Sequence, residues 1–177
     1  KANPGKISYA SYSAGTISQT LGLELNKAAG LTMTHVPYRG QAPTTTAVLT
    51  GEVQLLITSM STAMRGFIGE GKLKLLGVTA AAPSAANPGV PTVASVLPGY
   101  AAETWFGFIT TAGTPPEIVN RLNHEINAIL ATPAMRERMA GLGQEVRAFT
   151  PAQLGALIKE DSDRWGQVVR DNNISNK

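Results

Sequence analysis

Cysteine is absent from the 177 residues, which removes disulfides, thiolate nucleophiles and zinc–thiolate sites together. Histidine occurs only as His35 and His124, too few for a histidine-rich metal centre. No apolar run approaches the ~18 residues that a membrane-spanning helix requires, and no basic, apolar, small-residue leader opens the chain. Its first residue is Lys1 and not Met, so we expect a processed or cut piece without its signal peptide. Charge is scarce, at 15% of residues, and the net charge is +3 from 15 Lys+Arg and 12 Asp+Glu. The basic residues Lys72, Lys74, Arg136, Arg138, Arg147, Lys159 and Arg164 are scattered. They make no stripe that a phosphate backbone would need, so no nucleic-acid partner is expected. Phosphate-loop, nucleophile-elbow and His-Glu-x-x-His signatures are missing, since His124-Glu125 has no second histidine one turn on. Gly66, Gly69 and Gly71 lack the strand context of a dinucleotide site. No catalytic residue, metal or cofactor is therefore expected.

What is present is a core-forming composition, 43% hydrophobic, arranged as short β-rich runs alternating with helical periodicity, the pattern of an α/β fold. Strands are expected at Ile7–Ala10, Met33–Pro37, Val53–Thr58 and Leu73–Thr79, with helices through Leu21, Leu25 and Ala28/Ala29 to a stop at Gly30, at Gln41–Thr50 and at Met64–Ile68. Ala80 to Gly99 reads as a long loop with a short helix at Thr92–Leu97. Trp105–Ile109 is the most apolar strand candidate, and helices dominate after it, apart from a short strand at Glu145–Phe149. Thr114-Pro115-Pro116-Glu117 and Thr150-Pro151-Ala152-Gln153 read as capping boxes with proline in the first turn; Thr132-Pro133 repeats the opening without the acidic partner. Three helices then face at most two strands, so the second part exposes more apolar stripe than those strands can cover. Dimerisation or exchange of the C-terminal segment is a consequence to expect.

The chemistry-bearing region runs from Ser11 to Ser18, where a strand passes through a hydroxyl-rich turn, with Ser13, Ala14, Gly15, Thr16, Ile17 and Ser18, into a helix start. Free backbone N–H groups and the positive helix end suit a carboxylate; a plain N-cap by Ser18 would account for the same residues. Tyr38-Arg39-Gly40 and Thr58-Ser59 also follow strands, and ligands in open α/β sheets gather at strand carboxyl ends. His35 in an apolar strand is more simply a backbone-bonded histidine than a ligand contact. His124 belongs to a solvated helix side, Trp105 and Trp165 to the core, and Asp161 and Asp163 to a solvated face.

Asn3-Pro4-Gly5-Lys6, His35-Val36-Pro37-Tyr38-Arg39-Gly40, Gly51-Glu52-Val53-Gln54, Pro91-Thr92-Val93-Ala94, Pro98-Gly99-Tyr100, Trp105-Phe106-Gly107 and Ala112-Gly113-Thr114-Pro115 occur in order. Over almost the whole chain this series resembles the Bug, or TctC-like, substrate-binding proteins of tripartite tricarboxylate transporters. The resemblance implies a two-lobed α/β fold of the type II periplasmic-binding-protein kind. Residues 1–104 would be the second lobe, and residues 105–177 a crossover strand and helices returning to the first. It further implies a periplasmic address, a small di- or tricarboxylate or related organic acid as ligand, and membrane permease subunits as partners. The ligand residues would be Ser13 to Ser18, Tyr38, Arg39, Gly40, Thr58 and Ser59. The sequence departs from the family pattern at Ser13-Ala14-Gly15-Thr16, where Gly-Asn-Gly-Ser/Thr is usual, and at Thr58-Ser59, where Asp or Asn is frequent. The second departure favours a plain carboxylate over an amino acid. Two alternatives are the effector domain of a transcriptional regulator with the same fold, and a hydrolase using a loop serine, which would need a base within ~3 Å of it.

Overall fold

The computed structural model describes residues 4–174; Asn3, which opens the first of the motifs above, lies outside them. Strand β1 (Ser8–Ser11), helix α1 (Ile17–Ala29), β2 (Thr34–Pro37), α2 (Gln41–Leu49), β3 (Leu55–Leu56) and α3 (Thr62–Gly69) follow one another. The three strands form one parallel sheet in the order β2-β1-β3. After a long irregular stretch interrupted by a 3-10 turn at Val93–Ser95 come α4 (Pro116–Ala131), α5 (Pro133–Gly141) and α6 (Pro151–Asp171).

Central position explains the composition of β1. Its side chains alternate between two covered faces, and Tyr9, Ala10 and Ser11 are all fully buried. Ala10 joins Ala47 of α2 and Val53 in the main apolar cluster, flanked by Val36, Tyr38, Val48 and Leu56. Tyr9 points to the opposite face, where α1 passes so closely that a Cβ on Gly22 would overlap the tyrosine ring. Helix α1 ends as its sequence implies, with Gly30 in the left-handed region at φ 59 and its N–H on the carbonyls of the last turn.

Helix expectations hold along the chain, but several strand and cap expectations need correcting. Val53–Thr58 narrows to Leu55–Leu56, because β1 leaves the sheet after Ser11 and offers no further edge. Leu73–Thr79 does not form a fourth strand; it retains a single parallel bridge between Val78 and Thr92, and the two-residue β3 is too short an edge to template more. Trp105–Ile109 and Glu145–Phe149 also form no ladder. The side chains of Arg147 and of Glu103, two residues before the first run, pair at 2.8 Å, yet no strand among the described residues lies beside either run. Phe106, Phe108 and Ile109 consequently stand 73–85% exposed. The box at Thr150–Gln153 forms in full and Thr132 caps α5. By contrast, Thr114 turns back to the Thr111 carbonyl and α4 starts at Pro116 without a side-chain cap. Trp105 is 39% exposed and donates to Asp161 Oδ2 at 2.6 Å, so neither the core role expected for the one nor the solvated role expected for the other is found. His124 is exposed, as expected.

Polar contacts converge on α1, one from within the first part of the chain and others from α6. The buried Tyr100 hydroxyl donates to the Leu21 carbonyl at 2.9 Å. Arg164 of α6 donates to the Ala101 carbonyl at 2.5 Å and lies 3.9 Å from Glu24 of α1, while its guanidinium stacks on Trp165 at 4.7 Å.

Candidate functional site: the carboxyl edge of the parallel sheet

Parallel strands place all their carboxyl ends on one edge, and the loops after β1, β2 and β3 meet there. The Tyr38 N–H donates to the Ser11 carbonyl at 2.9 Å and the Gly40 N–H to the Tyr12 carbonyl at 3.0 Å, which ties the second loop to the first. The third is held by a contact between the Tyr12 hydroxyl and Thr58 Oγ1, and by Gln41 Nε2 lying 3.4 Å from both Thr58 Oγ1 and the Ser59 carbonyl. Residues 13–18, 38–40 and 58–59, far apart in sequence, thus share one rim.

The first loop is shaped by its own hydroxyls. Thr16 Oγ1 donates to the Ser13 carbonyl at 2.7 Å, and the Gly15 N–H to Gln19 Oε1 at 2.7 Å, with Gly15 at φ 76, a conformation glycine adopts without steric cost. Ser18 does not cap α1. The cap position is Thr16, whose side chain makes no capping bond, and buried Ser18 Oγ instead accepts the Tyr12 N–H at 3.2 Å. The amides of Ile17 and Ser18 therefore have no acceptor among the described residues. Helix α2 begins likewise, at Gly40 with φ 103 and no side-chain cap, beside exposed Arg39, which enters no ion pair among the described residues. Of the three helices around the sheet, only α3 is capped, by Ser61 Oγ on the Met64 N–H at 3.3 Å. Two uncapped positive helix ends and one guanidinium on a rim without a carboxylate make an environment for an anion.

Tyr38 stands in a different relation to this rim. Its ring packs against the Ala10–Ala47–Val53 cluster and its hydroxyl donates to Glu52 Oε1 at 2.8 Å, so only its backbone faces the loop. Ser13, Ala14 and Gly15 are exposed, Thr16, Ile17, Thr58, Ser59 and Gly40 half-buried. Gln41, which sequence reasoning passed over, completes the arrangement together with Ser11 and Tyr12, which open the candidate stretch. The parallel pairing of Tyr9 with His35 and of Ser11 with Pro37 puts Ser11 and His35 on the same face of the sheet, a relation that the period of two could have suggested. His35 is bonded to a side chain and not, as expected, to backbone: its Nε2 lies 2.6 Å from Ser11 Oγ, and Ser11 donates its proton to the Ser13 carbonyl at 2.9 Å. Burial lowers the His35 pKa below its ordinary value and raises that of the Tyr12 phenol, an effect opposed by the Ser59 backbone. With Ser11 fully buried, the serine–histidine pair is closed to any substrate.

A hollow of about 520 Å³ elsewhere is walled by Glu117, Ile118, Arg121, Leu122 and Glu125, all from α4, and so is an open groove along one helix.

Residues 1–174 match the protein family described as the tripartite tricarboxylate transporter family receptor, TctC. A protein of Pseudomonas sp. (strain P51), the UPF0065 protein in the tcbD-tcbE intergenic region, is 34% identical over 96% of this chain and 51% of its own length. The solved periplasmic binding protein BugD is 28% identical with a TM-score of 0.77, over 98% of this chain and 59% of that one. MatC from Rhodopseudomonas palustris, solved with bound malate, is 28% identical with a TM-score of 0.72, over 93% and 57%. The chain thus spans little more than half of each of these proteins. With the family match running over residues 1–174, the chain belongs to the TctC family of tripartite tricarboxylate transporter receptors.

Proposed function

We propose that the chain is the ligand-holding part of a periplasmic solute-binding protein, which captures a small carboxylic acid and presents it to the membrane subunits of a tripartite transporter. The observation that carries this reading is the pair of uncapped helix ends, α1 and α2, meeting beside Arg39 on a rim that has no carboxylate. Oriented N–H groups hold an anionic oxygen by charge-assisted bonds worth roughly 1.5–3 kcal/mol each. The bound malate of MatC supports the ligand class. Thr58 and Ser59 offer hydroxyls where a ligand amine would call for a carboxylate, which favours plain di- or tricarboxylates over acidic amino acids.

In this reading residues 1–104 form one lobe and the segment from Trp105 leaves it. Binding closes two lobes around the acid, and the uncovered apolar face of residues 105–109 belongs against chain outside residues 1–177. The same face would let two copies of this chain associate or exchange their C-terminal segments.

A thermal-shift panel of malate, succinate, citrate, aspartate, glutamate and aromatic acids tests the ligand class. An acid at 100 times its dissociation constant adds about 2.7 kcal/mol, a shift of roughly 2–4 °C. Malate or a related plain acid is expected to give the largest shift, and replacing Arg39 by alanine to reduce it. Aspartate or glutamate outperforming every plain dicarboxylate would overturn the preference argued from Thr58 and Ser59.

A further inference from the structure

The buried chain from His35 through Ser11 to the ligand loop has a polarity that a single proton decides. Ser11 Oγ has one hydrogen and lies within bonding distance of two groups, the Ser13 carbonyl at 2.9 Å and His35 Nε2 at 2.6 Å. Two arrangements satisfy it. When His35 carries a proton on Nε2, the imidazole donates to Ser11 Oγ and the serine proton must go to the Ser13 carbonyl. When Nε2 is bare, the serine proton turns to the imidazole and the Ser13 carbonyl loses that bond. The Ser13 carbonyl is also where Thr16 Oγ1 donates, at 2.7 Å, and Thr16 precedes the free amides of α1.

We propose that His35 is a positioning residue for the ligand loop: its Nε2–H, donated to Ser11, directs the serine hydroxyl onto the Ser13 carbonyl and holds residues 13–16 in the shape that presents the first amides of α1 to an anion. The role deepens the carboxylate-capture reading above and rests on it for its ligand, while the relay itself is a property of the ligand-free protein. Protonation of the imidazole enforces the same polarity, because both ring nitrogens then donate. The titratable groups on the elements packed against β2 are few. Tyr9 on β1 lies against the imidazole with ring centroids 5.2 Å apart; α1 carries Glu24, beside Arg164, and Lys27, exposed near its end. Burial pushes the Tyr9 phenol up to about 12 and holds the His35 imidazole below its ordinary value, so His35 is the group in this cluster that changes charge on the acid side.

Nitrogen-15 NMR of the ligand-free full chain between about pH 5 and 8, the range in which an imidazole changes charge, tests the relay directly. The neutral imidazole is expected as the Nε2–H tautomer, and, because protonation keeps the same polarity, the amide signals of Ser13 to Thr16 to hold their positions while the ring titrates. In Ser11→Ala the ring is expected still to titrate, while the loop amides lose exchange protection at every pH. Should Ser11→Ala fail to fold, His35→Phe keeps the ring packing on Tyr9 and removes the donor, and His35→Gln restores a donor; loop amide exchange is expected to rise in the first and return in the second. An Nδ1–H tautomer, loop protection in Ser11→Ala equal to that of the unsubstituted chain, or equal loop protection in His35→Phe and His35→Gln would each overturn the proposal. Malate is the binding probe, expected to bind Ser11→Ala about fivefold more weakly, the scale of one hydrogen bond's net contribution. Absence of malate binding to the unsubstituted chain would count against the proposed ligand class, while the NMR result would still decide for or against the relay.

Discussion

Single residues at the sheet carry consequences out of proportion to their size. Gly22 is there because Tyr9 is: a methyl group would overlap three atoms of the Tyr9 ring, and the ring cannot swing away while its hydroxyl is bonded to the Gln19 carbonyl. Gly22→Ala is therefore expected to destabilise the fold by about 1–3 kcal/mol, read as a lower urea midpoint with an unchanged slope. Titration acts on the same face from both ends of the pH scale. His35 holds its proton less well in the fold than its ordinary pKa of 6.5 implies, because it is desolvated. The unfolded chain then binds more protons, so this contribution to stability is complete above pH 6.5 and declines as pH falls below it. Tyr9 and Tyr100 are shifted the other way, from 10.0 to about 12, by burial, Glu24 adding to the effect on Tyr100. Their contribution is complete below pH 10 and is lost as pH rises from 10 towards 12. Tyrosinate absorbance is expected to show these two ionising late, together with alkaline unfolding, and the acid arm to flatten in His35→Gln.

Secondary-structure elements separate what local chemistry decides from what neighbours decide. Helices were legible because their signals lie within a few residues: Gly30 after α1, the Pro-opened first turns of α4, α5 and α6, and the apolar face Ile118-Leu122-Ile126. Strands were legible only where a partner existed. β1 and β2 pair over four residues each, whereas the apolar run at Trp105–Ile109, more strand-like in composition than either, has no ladder, since hydrogen bonds between strands cannot be read from one segment alone. The rim was legible in its outline, because loops after parallel strands must converge. Its wiring was not: Ser11, Tyr12 and Gln41 act through register and reach, which composition does not report. Capping offers a direct comparison within one molecule. Thr150→Ala removes a complete capping box and is expected to cost about 1 kcal/mol, while Thr114→Ala, whose hydroxyl serves only its own turn, is expected to cost much less. Paired denaturation curves decide between a real box and a sequence that merely spells one.

At the scale of the whole molecule the sheet end and the helical end differ in how well they are closed. Around the sheet, both faces of β1 are buried; beyond Glu103, Phe106, Phe108 and Ile109 are mostly exposed, and Ile118, Leu122 and Ile129 are 44–53% exposed. Apolar exposure on that scale is uncommon on a protein that stays monomeric. Light scattering of the 177-residue chain is expected to report a species larger than a monomer as concentration rises; a stable monomer at high concentration would speak against association through this face.

The clasp formed by Tyr100 on Leu21 and by Arg164 on Glu24 and Ala101 gives the molecule a mechanical character. Tension applied to the C-terminal helices arrives at α1 from the side, through a few polar contacts that can open one at a time, so those helices should peel away at low force. Tension that reaches β1 must instead shear it against parallel neighbours on both edges, with every ladder bond loaded together. The toughest point of the chain under load is thus the strand that leads into the ligand rim, and the rim would keep its shape after the helical end had been pulled off.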